Sequence, residues 1–201
     1  MNNIVILYPK LFKAYTKFKR KVLKITQNID SFSAICPSDP NDFINRLITE
    51  ENLNANLFID ENWKECNLTH GIVFDDGEEF FGDTEFLKSK KIPLRLIKIE
   101  ITRVINIKNE PKYRNLKSAP NYEYIGRGSY WGNPYAMHEN GDEREDVIRK
   151  FKYDFDFEKF PNKEKSEVYK LAGKRLGCFC KPEACHGDIL ADFLNYWDDG
   201  R

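Results

Sequence analysis

The stretch HGIVFDDGEEFFGDTEFLKSKKIPLRLIKIEI, residues 70–101, sets the fold class. It holds an apolar run from His70 to Phe74, a helical pattern from Phe80 to Lys90 and a second apolar run from Leu94 to Ile101. Two short apolar runs joined by a helix are typical of parallel strands with a crossover connection. The stretch therefore predicts a strand-helix-strand unit of a parallel sheet.

The same alternation occupies the residues before this stretch. Apolar runs recur from Ile4 to Leu7, from Phe32 to Cys36 and from Asn56 to Ile59, and helical patterns follow the first two. Strands that alternate with helices predict a parallel sheet covered on both faces. We therefore predict a Rossmann-like domain over residues 1–101.

The pattern changes after residue 101. We predict two strands and two main helices there: Arg103 to Lys108, Lys174 to Phe179, Asp142 to Phe151 and Ala184 to Trp197. The polar residues as far as Pro120 are predicted to form a loop. The predicted fold class is α/β: a Rossmann-like parallel sheet domain followed by a smaller α/β unit over residues 102–201.

Composition narrows the class of partner. The chain has 32 basic and 32 acidic residues, so it lacks the global positive field that drives nonspecific nucleic-acid binding, and such a partner is disfavoured. The first residues lack the basic flank and long apolar core of a signal peptide. No apolar run approaches the roughly 20 residues that cross a bilayer. We expect a soluble protein with no membrane partner, in the cytoplasm, or in the host-cell cytoplasm if the source is viral.

Three of the five cysteines crowd into the segment GCFCKPEACHGD, residues 177–188. Neighbouring thiols there are too close in sequence for an ordinary disulfide framework, which indicates reduced cysteines. Pro182 is predicted to lie in the first turn of the last helix. That position would place Cys185 and His186 at the amino end of the helix, where free backbone amides favour an anion.

Three interpretations of this segment stay open. In the favoured one, Cys185 is a thiolate nucleophile, His186 is an acid, a base or a phosphate donor, and Asp188 orients the imidazole; no cofactor is needed. In the second, zinc is bound by Cys178, Cys180, Cys185 and His186, although two adjacent ligands do not easily face one ion. In the third, the cysteines are small core residues.

A second motif, IGRGSYWGNPY at residues 125–135, combines glycines, an arginine and aromatic residues. Glycines allow a ligand to approach the backbone, Arg127 can grip a phosphate, and Tyr130 or Trp131 can stack on a base. The predicted ligand-binding residues are Arg127, Ser129, Trp131, Asn133 and Arg144. A tight turn with aromatic core anchors, and a solvated Arg144, is the alternative interpretation.

These motifs carry two resemblances. The order TRVINI (102–107), YIGRGSYWGNPY (124–135), Arg144 and GKRLGCFCKPEACHGDIL (173–190) resembles a bacterial and phage domain family of unknown function. Residues 68–97 resemble the SLOG superfamily of Rossmann-like domains that bind or process nucleotides and nucleotide-derived signals. Where that superfamily has glycine turns, this chain has LYPK (7–10) and CPSD (36–39). The resemblance implies a nucleotide ligand, and the departures indicate that the first domain has lost its own site.

The function predicted from these observations is an enzyme that acts on a nucleotide, a nucleobase or a nucleotide-derived metabolite. Cleavage or transfer at an N-glycosidic bond would suit such a site, and a phage would suit as its source. The alternative is a noncatalytic nucleotide-binding or host-interaction (anti-defence) protein, which the missing glycines favour. A zinc-dependent nucleic-acid module is the third hypothesis, and the balanced charge disfavours it.

Overall fold

A computed structural model describes residues 2–138, 141–160 and 163–201. The chain divides into two compact units, one of residues up to Ile99 together with Tyr196–Arg201, and the other of Glu100–Asn195. Each unit has its own β-sheet. Within the described residues, no helix combines the length and the apolar character that crossing a membrane requires.

The first unit contains a five-stranded parallel sheet with the strand order β3-β2-β1-β4-β5. Its strands are β1 (Asn2–Leu7), β2 (Phe32–Cys36), β3 (Ala55–Ile59), β4 (His70–Asp75) and β5 (Leu94–Lys98). Its helices are α1 (Tyr15–Thr26), α2 (Phe43–Glu50) and α3 (Phe81–Ser89), with a 3-10 turn at Trp63–Glu65. The predicted α/β fold class is therefore confirmed.

Helices cover both faces of this sheet because successive strand residues face opposite ways. Val5 and Val73 belong to a core cluster that also contains Leu87 of α3. Phe74, the next residue of β4, contacts other helices. It stacks on Phe18 of α1, with ring centroids 5.0 Å apart, and Phe18 packs against Phe43 of α2 with ring centroids 5.3 Å apart. Each buried aromatic or aliphatic side chain of this kind stabilises the fold by roughly 1.5–3 kcal/mol.

The second unit contains a smaller mixed sheet with the order β6-β9-β8-β7, in which only β7 and β8 are antiparallel. Its strands are β6 (Arg103–Asn106), β7 (Ser118–Ala119), β8 (Tyr122–Tyr124) and β9 (Arg175–Cys178). Its helices are α4 (Arg144–Asp156) and α5 (His186–Tyr196), with 3-10 helices at Pro111–Tyr113 and Lys165–Leu171.

Strand β9 positions the functional segment. It pairs with β6 on one side and with β8 on the other, and its Leu176 and Cys178 belong to a core cluster shared with α4 and α5. The opposite side of β9 has no room for a side chain at Gly177, because a Cβ there would lie 2.3 Å from the Tyr122 hydroxyl oxygen. Cys178 therefore ends a central strand, where α/β proteins commonly place their sites.

Two predictions about local structure in this unit are wrong. The stretch up to Pro120, predicted to be a loop, contains a 3-10 helix and β7, which are too short to leave a periodic pattern. Pro182 lies in a turn ahead of α5 and not in its first turn, because the helix begins only at His186. Cys185, and not a residue near Pro182, therefore stands at the start of the helix.

Candidate functional site

The turn between β9 and α5 fixes Cys185 at the amino end of the helix. The backbone amide of Asp188 donates to the carbonyl of Cys185 at 2.9 Å, and the amide of Cys185 donates to the Asp188 carboxylate at 2.9 Å. The amide of Gly187 donates to Cys185 Sγ at 3.4 Å. This reciprocal arrangement satisfies amide groups that a helix start leaves without partners.

Three thiols meet at this turn. The Sγ atoms of Cys178, Cys180 and Cys185 all lie within 4.8 Å of one another, and those of Cys178 and Cys180 are 3.3 Å apart. Cys178 and Cys180 are two positions apart at the end of a strand, so their side chains share a side, and Phe179 between them is exposed. Cys178 and Cys185 are buried, whereas Cys180 is half-buried, and all three are free thiols.

The thiols perturb one another electrostatically. Hydrogen bonds donated by Cys185 and Cys180 lower the pKa of Cys178 to about 5. Donation to Cys178, together with burial, raises the pKa of Cys185. Burial raises the pKa of Cys180 and nearby Arg144 opposes that rise. These three thiols titrate as one coupled group, in which the pKa of Cys178 is lowered and that of Cys185 is raised, and the thiolate role of Cys185 stays a prediction.

His186 connects the helix to the glycine-containing loop. Its Nε2 lies 2.9 Å from the carbonyl oxygen of Ile125 and 3.1 Å from that of Trp131. Carbonyl oxygens only accept, so we assign the proton of the neutral imidazole to Nε2, which leaves Nδ1 unprotonated and 3.6 Å from Cys185 Sγ. Burial lowers the pKa of His186, which keeps the ring neutral.

The carboxylate of Asp188 has different partners from those predicted. It accepts the amide of Cys185 and pairs with Lys181 Nζ at 2.6 Å. The imidazole of His186 is oriented instead by two carbonyl groups of the loop. The predicted catalytic roles of Cys185, His186 and Asp188 stay predictions, although the three residues are adjacent as expected.

The loop at residues 125–132 is closed by its own backbone. Ser129 N donates to Gly126 O at 3.1 Å, and Gly132 N donates to Ser129 O at 3.0 Å. A Cβ at Gly132 would lie 2.6 Å from Gly126 O, so this glycine serves close packing. Trp131 is a buried core residue and Tyr130 hydrogen-bonds Glu167 through its hydroxyl.

A pocket with about 500 Å³ of empty space opens between this loop, α4 and the thiol cluster. It is lined by Arg127, Asn133, Tyr135, Met137, Arg144, Val147, Ile148, Cys178, Cys180, Ala184, Cys185 and His186. Five of the eight predicted catalytic and ligand-binding residues thus line one pocket, namely Arg127, Asn133, Arg144, Cys185 and His186, together with Cys178 and Cys180 of the alternative metal set. Ser129, Trp131 and Asp188 are not among the lining residues.

Two of the lining residues also hold the pocket together. The side-chain amide of Asn133 makes two hydrogen bonds. Its Nδ2 donates to Val147 O at 3.0 Å, and its Oδ1 accepts from Tyr135 N at 3.0 Å. Arg144 Nη1 donates to Ala184 O at 3.2 Å, which ties the start of α4 to the cysteine turn. Tyr135 was missed by sequence reasoning, although its place beside the Asn-Pro turn was a usable signal.

In the first unit, the amino end of α2 is filled by the chain's own carboxylate. Asp39 Oδ2 accepts the amides of Ile44 and Asn45, each at 3.0 Å, and the Tyr8 hydroxyl donates to Asp39 Oδ1. Burial and the bond to Asp39 raise the pKa of Tyr8. An anion normally binds where such helix amides are free.

The fold and the pocket together define an α/β protein with a Rossmann-like first unit and a thiol-lined pocket in a second. The chain belongs to the minimal SLOG domain family, whose family model matches residues 1–105. Residues 105–196 match the model of a domain of unknown function (DUF4326). Both resemblances inferred from the sequence are thereby confirmed, and the SLOG match marks the protein as nucleotide-related.

Part of the chain is similar in sequence to a phage protein. The "uncharacterized 12.4 kDa protein in nrdA-td intergenic region" of Enterobacteria phage T4 is 45% identical over 73 residues, which are 35% of this chain and 65% of the relative. The chain thus spans a little under two thirds of the length of that relative. No solved structure matches the chain.

Proposed function

We propose that the protein is an enzyme that acts on a nucleotide or a nucleotide-derived metabolite in the pocket of the second unit. The observation that carries this proposal is the lining of that pocket, where Arg127 and Arg144 lie on the same cavity as three thiols. Guanidinium groups bind phosphate and carboxylate in a fixed, two-pronged geometry. The nucleotide-related family agrees with such a ligand.

In this proposal, the arginines hold the anionic group and the thiol cluster faces the reacting part of the ligand. Tyr135 and Met137, and not Trp131, supply the aromatic and apolar wall for a base. Cleavage or transfer at an N-glycosidic bond is the reaction that this proposal assigns to a ligand held by its phosphate.

The test compares arginine variants that differ in their place on the molecule. Arg127→Ala and Arg144→Ala each remove a charged group from the pocket, so we expect nucleotide binding to weaken by about 10-fold or more. Arg149→Ala is the matched control, because Arg149 is on the same helix as Arg144 but pairs with Asp146 away from the pocket. The probe is a mixture of ribonucleoside and deoxyribonucleoside monophosphates, with binding followed by calorimetry and conversion by chromatography.

Each outcome is informative. Loss of binding and turnover in the two pocket variants, with Arg149→Ala within about twofold of wild type, supports the proposal. Equal binding by all three variants contradicts it. Folding is checked by circular dichroism, because Arg144 also bonds the carbonyl of Ala184.

A noncatalytic nucleotide-binding or host-interaction protein is the second candidate. It is favoured by the carboxylate of Asp39, which occupies the position where a SLOG-like domain would be expected to hold an anion. Unchanged nucleotide after long incubation with saturating protein would support this candidate. Recovery of a converted product would exclude it.

A further inference from the structure

We propose that Cys178, Cys180 and Cys185 together bind one thiophilic metal ion, zinc being the expected one, and leave a coordination position open to the pocket. Only one part of this proposal rests on the proposed function, namely that the open coordination position faces the pocket for the nucleotide. Metal binding by the three thiols stands on its own geometry.

The separations between the thiols suit one ion. Zinc bound by thiolates at about 2.3 Å in a tetrahedron places its ligands about 3.8 Å apart. The three Sγ atoms lie within 4.8 Å of one another, and those of Cys178 and Cys180 are 3.3 Å apart. Changes of up to about 1 Å in these separations would bring all three onto one ion. An iron-sulfur cluster would need wider spacing, because its cysteines bind different iron atoms.

Hydrogen bonds within the protein hold the turn that carries the three donors. Cys178 ends a central strand, and Cys185 is fixed by the reciprocal bonds with Asp188. The turn between them is held by Asn106, whose side chain donates to the carbonyl of Lys181, and by Arg144, which donates to that of Ala184. Such support around the ligands is what gives a metal site its affinity and geometry.

The structure does not supply a fourth protein ligand from His186. Among the described residues, the group of donor atoms within 4.8 Å of one another contains the three thiols and not this histidine. Its Nε2 is bonded to the carbonyls of Ile125 and Trp131, and its Nδ1, although 3.6 Å from Cys185 Sγ, is not grouped with all three sulfur atoms. The four-ligand set considered from the sequence is thus reduced to three. Structural zinc sites are closed by four protein ligands, whereas three ligands and an open position are typical of catalytic sites.

The open position faces the anion pocket. All three cysteines line the cavity that Arg127 and Arg144 also line. Three thiolates around a divalent ion leave a net charge of minus one, which the nearby Arg144 can offset. A water molecule or an oxygen or nitrogen atom of the ligand would complete the coordination.

The experiment measures metal binding by the full chain, with no nucleotide added. Protein purified without chelator, then reduced and reconstituted with Zn²⁺ or Co²⁺, is examined by native mass spectrometry and by the thiolate-to-cobalt absorption band. We expect about one ion per chain in wild type. We expect a tenfold or greater loss of affinity in Cys178→Ala, Cys180→Ala and Cys185→Ala. Cys36→Ala and Cys66→Ala are the matched controls and should bind like wild type, since both lie in the first unit.

Alkylation keeps the test decisive if a cluster variant fails to fold. In wild type, bound Zn²⁺ should slow the alkylation of the three cluster thiols, mapped by peptide mass, but not that of the half-exposed Cys66. Folded wild type that binds neither ion, or control variants that lose metal as much as the cluster variants, would overturn the proposal.

Failure of the proposed function is detected separately. Nucleoside monophosphate added to the cobalt form should shift its visible absorption in wild type and not in Arg127→Ala. A cobalt site that forms but ignores nucleotide would retain the metal proposal and reject the proposed function. A protein that binds nucleotide but no metal would retain the proposed function and reject the metal proposal.

Discussion

At the scale of single residues, the site depends on close approach between the α5 start and the glycine loop. A Cβ on Gly187 would lie 2.4 Å from Cδ1 of Ile125, a contact that real side chains do not make. Gly82, also near a helix start, has open space around the same position. The two glycines therefore make a matched pair, one needed for packing and one not.

We predict that Gly187→Ala lowers the free energy of unfolding by about 1–3 kcal/mol, because Ile125 must move in a packed core. Gly82→Ala should raise it by about 0.5–1 kcal/mol, because alanine is the better helix former. Urea unfolding followed by circular dichroism measures both. A Gly187→Ala protein as stable as wild type would show that the helix start and the loop are not in close contact.

The sequence predicted seven of the twelve pocket-lining residues, with Cys178 and Cys180 counted from the alternative metal set, because the chemistry of these residues is unusual. Three clustered thiols, and Arg127 beside glycines, are patterns that few loops share. It did not distinguish the buried Trp131 from the pocket-lining Tyr135, since both are aromatic residues in a polar segment. Nor could it find how the thiols change one another's pKa, which depends on distances that only the fold sets.

At the scale of elements, the strand-helix alternation was sufficient to predict the first unit. The bounds of β2 agree with the prediction, because this strand is a continuous buried run in which four of five residues are apolar. In the second unit, the two-residue β7 and three-residue β8 were missed, since such short strands show no alternation. The start of α5 was misplaced because Pro182 resembled a helix start, whereas the reciprocal bonds between Cys185 and Asp188 begin the helix at His186.

The Tyr8–Asp39 pair supports the amino end of α2, and its removal is our prediction at this scale. Asp39→Ala should lower the free energy of unfolding by about 1–3 kcal/mol, because two helix amides and the buried Tyr8 hydroxyl lose their partner. Tyr8→Phe should cost less, and the double variant should show a coupling of about 0.5–3 kcal/mol. Urea unfolding measures the cycle, with the exposed Asp30→Ala as control. Additive losses would mean that the two side chains do not interact.

At the scale of the whole molecule, the chain leaves the first unit after Ile99 and returns to it for Tyr196–Arg201. Within that unit, Lys17 of α1, with a side chain 7% exposed, pairs with Asp199 at 2.7 Å. Arg20 pairs with Asp198 at 2.7 Å, but its side chain is 40% exposed. The first pair should therefore matter more to stability than the second.

Burial alone would raise the pKa of Asp199, but hydrogen bonds from Lys17 and from the amide of Arg201 bring it below its ordinary value. A carboxyl whose folded pKa is lowered stabilises the protein above its unfolded pKa and loses this effect as the pH falls. Asp199→Asn should thus cost about 1–3 kcal/mol at pH 7, and the difference should shrink below about pH 4. Asp198→Asn should cost at most about 1 kcal/mol. Urea unfolding at several pH values tests this, and a pH-independent difference would contradict the ion-pair explanation.

The central claim is that the ligand site lies in the thiol-lined pocket of the second unit and not at the amino end of α2 in the first. Native mass spectrometry of the zinc-reconstituted protein with nucleoside monophosphates tests it most directly, in wild type, Arg127→Ala and Asp39→Ala. We predict one zinc and one nucleotide on wild type and on Asp39→Ala, and zinc without nucleotide on Arg127→Ala. Nucleotide retained by Arg127→Ala and lost from Asp39→Ala would place the ligand in the first unit and contradict the claim.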